Sequence, residues 1–156
     1  MNNDILFSII LTTYNRDLKL IRALYSLVHQ TNKHFEVIIV DDGSTDRSAD
    51  VVRHFKQFLN IKYFTISNSG GPAYPRNIAI KNAIGRYLCI LDSDDIFTKD
   101  KILTLSKFIY NYTPDIIWHP LLKYNTNNIW QSLIVNRVKF NSDFLKSLIY
   151  FGNFIP

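Results

Sequence analysis

"FEVIIVDDGSTD", residues 35 to 46, runs from a six-residue strand-like stretch into two acids, a glycine and three small polar residues. Phe35 to Val40 has the β-branched character of a strand buried on both faces. The composition then switches at Asp41 and Asp42. Ser44, Thr45 or Asp46 is placed to cap a helix, whose core face would be Ala49, Val52, Phe55 and Leu59. Buried strand, polar loop, helix: if this unit recurs, it decides the fold.

It does recur. Upstream, "LFSIILTTYN" predicts a strand from Leu6 to Leu11, followed by a helix from Asp17 to His29 with Leu20, Leu24, Leu27 and Val28 on one stripe. Downstream, "IKYFTI" (61 to 66) reads as a third strand leading into the loop "SNSGGPAYP". A short helix after Pro75 carries Ile80, Ala83 and Ile84 and stops at Gly85. "RYLCIL" (86 to 91) is the fourth strand and ends in "DSDD". A helix from Lys99 to Asn111 then turns Ile102, Leu105, Phe108 and Ile109 inward. Four such alternations predict an α/β/α sandwich around a mostly parallel sheet. Parallel strands end on one edge, so "TTYNRD", "DDGSTD", "SNSGGPAYPR" and "DSDDIF" should crowd together where open α/β sheets bind ligands.

After Pro114 the pattern becomes that of antiparallel strands, with Asn127-Asn128 as a turn and a helix from Ser142 to Tyr150. The expected division is therefore 1–113 and 114–156. The apolar, proline-terminated end "FGNFIP" reads as a truncation.

The totals suit a folded domain, with 47% hydrophobic and 20% charged residues. The formal charge of +5 comes from scattered basic residues, which suits anionic ligands or surfaces rather than nucleic acid. Cys89 is the single cysteine, which excludes an internal disulfide; in a strand it reads as a buried, inert thiol. No basic leader opens the chain, and no apolar run approaches the roughly 20 residues of a membrane span. A cytoplasmic protein is expected.

Neither G-x-G-x-x-G nor G-x-x-x-x-G-K occurs, so phosphates at this edge need another partner. Mg²⁺ or Mn²⁺ held by carboxylates supplies one, since Mg²⁺ often takes only one or two protein oxygens while substrate phosphates complete its shell. Asp92, Asp94 and Asp95 offer such oxygens at a strand end. The four histidines, His29, His34, His54 and His119, lack ligand spacing, and Trp118 and Trp130 read as core or sugar-facing residues.

In order and with natural spacing, "FSIILTTYNR", "FEVIIVDDGSTDRS", "GGPAYPRNIAI" and "GRYLCILDSDD" resemble the family 2 inverting glycosyltransferases of the GT-A fold. The likeness covers about Phe7 to Phe108. It implies that Thr12 and Tyr14 line a nucleobase pocket and that Asp42, beside Asp41, accepts the uracil imide N–H. It also implies that Arg76 reaches the base or diphosphate, that Asp92 holds the ribose, and that Asp94, Asp95 or both approach Mn²⁺ or Mg²⁺. These roles are chemically coherent. A carboxylate on an imide N–H is a charge-assisted hydrogen bond, and a guanidinium fork matches phosphate oxygens.

The resemblance further implies a nucleotide-sugar donor, UDP-sugar favoured, and transfer with inversion to a glycan or lipid-linked acceptor in bacterial surface polysaccharide synthesis. Peripheral association of the full-length protein with the inner face of the plasma membrane goes with that role. Inversion needs a base for the acceptor hydroxyl. Asp143 sits in a capped helix start and Asp115 follows a proline at a strand start, so the base is expected downstream of Pro156. The donor half is thus 1–113, and 114–156 begins an incomplete acceptor side. Two other readings compete: a non-catalytic sugar-nucleotide-binding module, and aspartate-based phosphoryl transfer. The second would place its D-x-D after the first strand rather than the fourth.

Overall fold

The computed structural model describes residues 5–117, 122–124 and 130–132. By internal contacts the chain divides into two units, Met1–Thr113 and Pro114–Pro156. The first contains strands β1 (Phe7–Thr13), β2 (Phe35–Asp41), β3 (Ile61–Thr65) and β4 (Tyr87–Ile90). Between and after them lie helices α1 (Asp17–Val28), α2 (Ser48–Phe55), α3 (Ala73–Lys81) and α4 (Lys101–Tyr112). In the second unit, β5 (Leu122–Tyr124) pairs antiparallel with β6 (Trp130–Ser132), Tyr124 opposite Trp130. The expected Asn127-Asn128 turn, the 142–150 helix, Asp143, His119 and the Trp118 side chain lie outside the described residues.

The four strands form a parallel sheet in the order β3-β2-β1-β4. The chain steps outward from β1 to β3, then returns to β1's other side, which makes the C-terminal end of β1 a switch point. β1 and β2 end level, Thr13 opposite Asp41, and both are buried almost throughout. This explains why their sequences are continuous apolar runs rather than alternating ones.

Alternation along β1 puts Ser8, Ile10 and Thr12 on one face and Phe7, Ile9, Leu11 and Thr13 on the other. α3 covers the first face: Ala79 packs with Ile10, Ile38 and Val40, and Ile78, Ala83 and Phe64 close the margin. The remaining helices serve the second face with buried stripes, Leu20, Ala23, Leu24 and Leu27 on α1 and Ile102, Leu105 and Ile109 on α4. Gln30 joins these two helices, accepting from Ile102 N at 3.0 Å and donating to Thr98 O at 2.8 Å.

Several expectations are corrected in detail. The α2 N-cap position is Arg47, which makes no side-chain cap bond. Of the three candidates Asp46 does the capping, accepting from Ser48 N at 2.9 Å, while Ser44 and Thr45 bond to Asn15 in the first loop. Ser48 rather than Ala49 therefore faces the core. α3 begins two residues before Pro75, which sits in a first turn where no backbone N–H is needed. That phase turns Ile80 and Ile84 to solvent and buries Pro75 and Ala79. Gly85 is not the helix stop, since α3 ends at Lys81 with Asn82 as its C-cap. A Cβ at Gly85 would stand 2.5 Å from Ser8 N, so close approach to β1 explains the glycine. Phe108 is exposed and stacks on Tyr112, while Val28 is half-buried.

Candidate functional site

Three of the β-to-α loops and the turn after β4 meet where β1 ends, and their ends are fixed before any ligand arrives. Asn15 adopts a left-handed backbone (φ 47°), which asparagine tolerates, and brackets the next loop. Its N–H donates to Ser44 Oγ at 2.9 Å, and its Oδ1 accepts from Thr45 N at 2.7 Å. Asp46 bridges two helix starts, accepting from Asp17 N at 3.0 Å and Ser48 N at 2.9 Å. Gly43 (φ 81°) lies so near the third loop that a Cβ would meet Asn68 N at 2.9 Å. Asn68 Nδ2 in turn donates to Asp42 O at 3.1 Å.

Between these loops opens a cleft of about 520 Å³, within the range of small-molecule sites. Of the residues singled out from sequence, Thr12, Tyr14, Asp42, Arg76, Asp92 and Asp94 line it. Tyr14 is half-exposed at 48%, so its ring is free to meet a planar ligand. Asp42 Oδ1 accepts from Ser69 N at 2.8 Å, and Oδ2 takes no hydrogen bond from the described residues. Asp41 does not line the cleft. Its Oδ2 accepts from Tyr63 OH at 2.7 Å and its Oδ1 from Ser44 N at 2.8 Å, so it braces the loop from below. Burial and then Asp41 push the Tyr63 phenol above its ordinary range, keeping it a donor.

The "DSDD" turn closes with Asp95 N donating to Asp92 O at 2.9 Å. Its three acids sit in different surroundings. Asp92 pairs with Arg76 Nη2 at 2.8 Å. Asp94 Oδ2 receives Arg16 Nη1 at 2.6 Å, with Lys19 Nζ at 3.6 Å. Partial burial pushes the Asp94 carboxyl up, but Arg16 and Lys19 outweigh it and hold it below its usual range. Asp95 has no cation within pairing distance among the described residues and does not line the cleft. Partial burial, then the Asp92 and Asp94 carboxylates, push it up.

No group of three His, Cys, Asp or Glu able to enclose a metal occurs among the described residues. A cation completed by substrate phosphates needs only one or two carboxylates, and the uncompensated repulsion at Asp95 is what such a cation would relieve. Asp94 lines the cleft and fits that role, with Asp95 next to it in the same turn but outside the lining.

Sequence reading missed Thr13, Arg16 and Asn68, which also line the cleft. Thr13 Oγ1 and Arg76 Nε are buried without a hydrogen-bond partner, a costly state that a bound polar ligand would end. Arg16 carried no local signal, because its partner lies 78 positions away. A larger cavity of about 600 Å³ lies at the opposite sheet edge, between Leu6, His34, Arg86 and Tyr110. It has no carboxylate among its described lining residues and gathers none of the loop residues above. Cys89 is half-buried, and its thiol is pushed up to about 11 by burial, with Lys101 opposing, so it carries no nucleophile.

The profile of Glycosyl transferase family 2 matches residues 8–152. An uncharacterized glycosyltransferase of Rickettsia conorii is 49% identical over 107 residues, 69% of this chain and 18% of the relative. The poly(ribitol-phosphate) beta-N-acetylglucosaminyltransferase TarS of Staphylococcus aureus is 35% identical over 130 residues, 81% of this chain and 23% of TarS. The chain thus spans about a fifth of the length of these curated relatives. Among solved structures, S. aureus TarS 1-349 in complex with UDP superposes with a TM-score of 0.68 at 39% identity, covering 69% of this chain and 33% of that one. The mannosyltransferase PcManGT of Pyrobaculum calidifontis, in complex with GDP-Man and Mn²⁺, gives a TM-score of 0.62 at 25% identity over the same shares.

Proposed function

This chain belongs to glycosyl transferase family 2 and has the GT-A fold, and on that premise we propose that residues 1–113 bind the nucleotide-sugar donor of an inverting transfer. The observation that carries the reading is the convergence of Tyr14, Asp42, Arg76, Asp92 and Asp94, drawn from four chain segments, on one cleft.

UDP-sugar is the proposed donor. Asp42, with Oδ2 free, accepts the uracil imide N–H, and Tyr14 packs on the base beside Thr12. Support comes from the TarS structures, whose ligands are UDP and UDP-GlcNAc. Asp92 holds the ribose hydroxyls, and Arg76 supplies a planar fork to base or diphosphate oxygens. Mn²⁺ or Mg²⁺ held by Asp94 and Asp95 would neutralise charge on the diphosphate leaving group. A neighbour in fold, PcManGT, is in complex with GDP-Man and Mn²⁺, which makes Mn²⁺ the first cation to try.

No acceptor base is assigned among the residues that line the cleft. Likeness to a poly(ribitol-phosphate) transferase supports a surface glycopolymer, glycan or lipid-linked, as acceptor. No helix among the described residues is long and apolar enough to cross a membrane, so contact with a lipid-linked acceptor is proposed as peripheral.

Calorimetry with UDP and MnCl₂ tests the reading. Saturable 1:1 binding is expected, lost or strongly weakened in Asp94→Ala and Asp95→Ala. Wild-type protein that ignores UDP overturns donor binding, and mutants that bind as wild type overturn the cation assignment.

A further inference from the structure

Arg16 has a position that donor binding alone does not explain. It follows Asn15, whose backbone and side chain are locked to Ser44 and Thr45, so its main chain is fixed. Its side chain is 45% exposed, held only by the Asp94 pair, and lines the cleft together with Arg76. It reaches across the loop cluster to Asp94 Oδ2, the oxygen that Lys19, one turn further along α1, also approaches. The carboxylate best placed for a cation is therefore already occupied by protein cations.

A divalent ion on Asp94 competes with the guanidinium for the charge of one carboxylate, whose Oδ1 takes no hydrogen bond from the described residues, and so loosens the pair. An exposed, solvent-screened pair of this kind contributes little, so little resists the exchange. Once released, the fork has anionic diphosphate oxygens within the same cleft, a geometry it matches in bidentate fashion. Resting on the donor-binding reading, we infer that Arg16 is a latch residue. It neutralises Asp94 while the cleft is empty, and it turns to the donor's diphosphate when Mn²⁺ or Mg²⁺ takes Asp94. Lys19 assists only the first state, because it does not line the cleft.

Two binding measurements on the 156-residue chain separate the states: Mn²⁺ alone, by loss of the free-ion EPR signal, and UDP at saturating Mn²⁺, by calorimetry. Arg16→Gln should tighten Mn²⁺ several-fold in the absence of nucleotide, because a competitor is gone. It should also weaken UDP about tenfold, as loss of one charge-assisted contact does. Lys19→Gln should tighten Mn²⁺ less and leave UDP unchanged, and Arg16→Lys should restore Mn²⁺ affinity to near wild type but UDP affinity only in part.

If Arg16→Gln leaves Mn²⁺ affinity unchanged, there is no latch, whatever happens to UDP. If it tightens Mn²⁺ but spares UDP, the second half of the exchange is wrong. Wild-type protein that does not bind UDP at all overturns the donor-binding reading instead, so the two failures are distinguishable. Unchanged thermal melting of the variants confirms that exposed side chains were altered and not the fold.

Discussion

Two carboxylate centres lie near opposite ends of the same sheet, and the protein treats them in contrary ways. Near its start, β2 carries Glu36, fully buried. Its Oε1 accepts from Ser8 Oγ at 2.6 Å and from Ile84 N at 2.9 Å, while Lys62 Nζ stands as an ion pair 2.9 Å from Oε2. Burial raises that carboxyl, but these donors outweigh it, and Glu36 stays ionised below its usual range. At the other end, Asp92 and Asp94 are paired carboxylates that water itself reaches, and Asp95 has no cation among the described residues. A sealed carboxylate with its own partners ties β1, β2, β3 and the chain before β4 together. An open one with borrowed partners is available to something else.

The contrast breaks most easily at Glu36. Glu36→Ala strips the acceptor from Ser8 Oγ and Ile84 N–H and the counter-charge from Lys62, whose partly exposed ammonium keeps Asn82 O at 3.3 Å, which should cost about 2–4 kcal/mol. Urea denaturation measures it, and a loss under about 1 kcal/mol would mean that the network is bystander chemistry. UDP binding by the fraction still folded should survive, because no residue of the cleft touches Glu36.

The second test lies at the same end. Gly85→Ala forces a methyl against Ser8 N, which a Cβ would approach to 2.5 Å, and Gly85 N also donates to Ser8 Oγ at 2.9 Å. Overpacking of this kind costs about 1–3 kcal/mol. The expected result is a lower urea midpoint with UDP affinity unchanged in the folded protein. Equal damage to both would show that the two ends are mechanically coupled.

The two ends were not equally legible in sequence. Alternation of strands and helices was plain because β1 and β2 are continuous apolar runs and α1 repeats at helical spacing. Parallel topology then placed four polar loops together without any structural information. α3 was misphased because Ile78, Ala79 and Ile80 span more than one face and Ala83 and Ile84 lie past its end. Only packing decides that Ala79, small enough to approach the sheet, is inward. Gly85 looked like a helix stop because a steric reason lying on another strand leaves no local trace. Glu36, in an otherwise apolar strand, was the visible anomaly that went unread. Within the cleft, strand-end acids were legible, whereas Arg16 and the unpartnered Thr13 hydroxyl depend on which loops face each other.

The smallest expected effect is at Asp95, and its sign is the informative part. Its folded carboxyl is raised above the unfolded value, by partial burial first and then by Asp92 and Asp94. The fold therefore prefers the protonated form: stability is greatest below the unfolded value and is lost as pH rises through the folded one. Asp94, held low against partial burial by Arg16 and Lys19, contributes the other way, and its share is lost as pH falls through its folded value. Asp95→Asn removes the first contribution and leaves the second. The variant should match or exceed wild type in stability at neutral pH, by less than about 1 kcal/mol because the site is exposed and solvent-screened. The advantage should shrink as pH falls through the carboxylate range. Added Mn²⁺ should stabilise wild type more than the variant, since only the wild type has the repulsion that a cation relieves. Melting curves across pH, with and without Mn²⁺, check both. An Asn variant less stable than wild type at neutral pH would show that Asp95 is paired in the fold, and the distinction between sealed and open carboxylates would then fail where it was drawn most sharply.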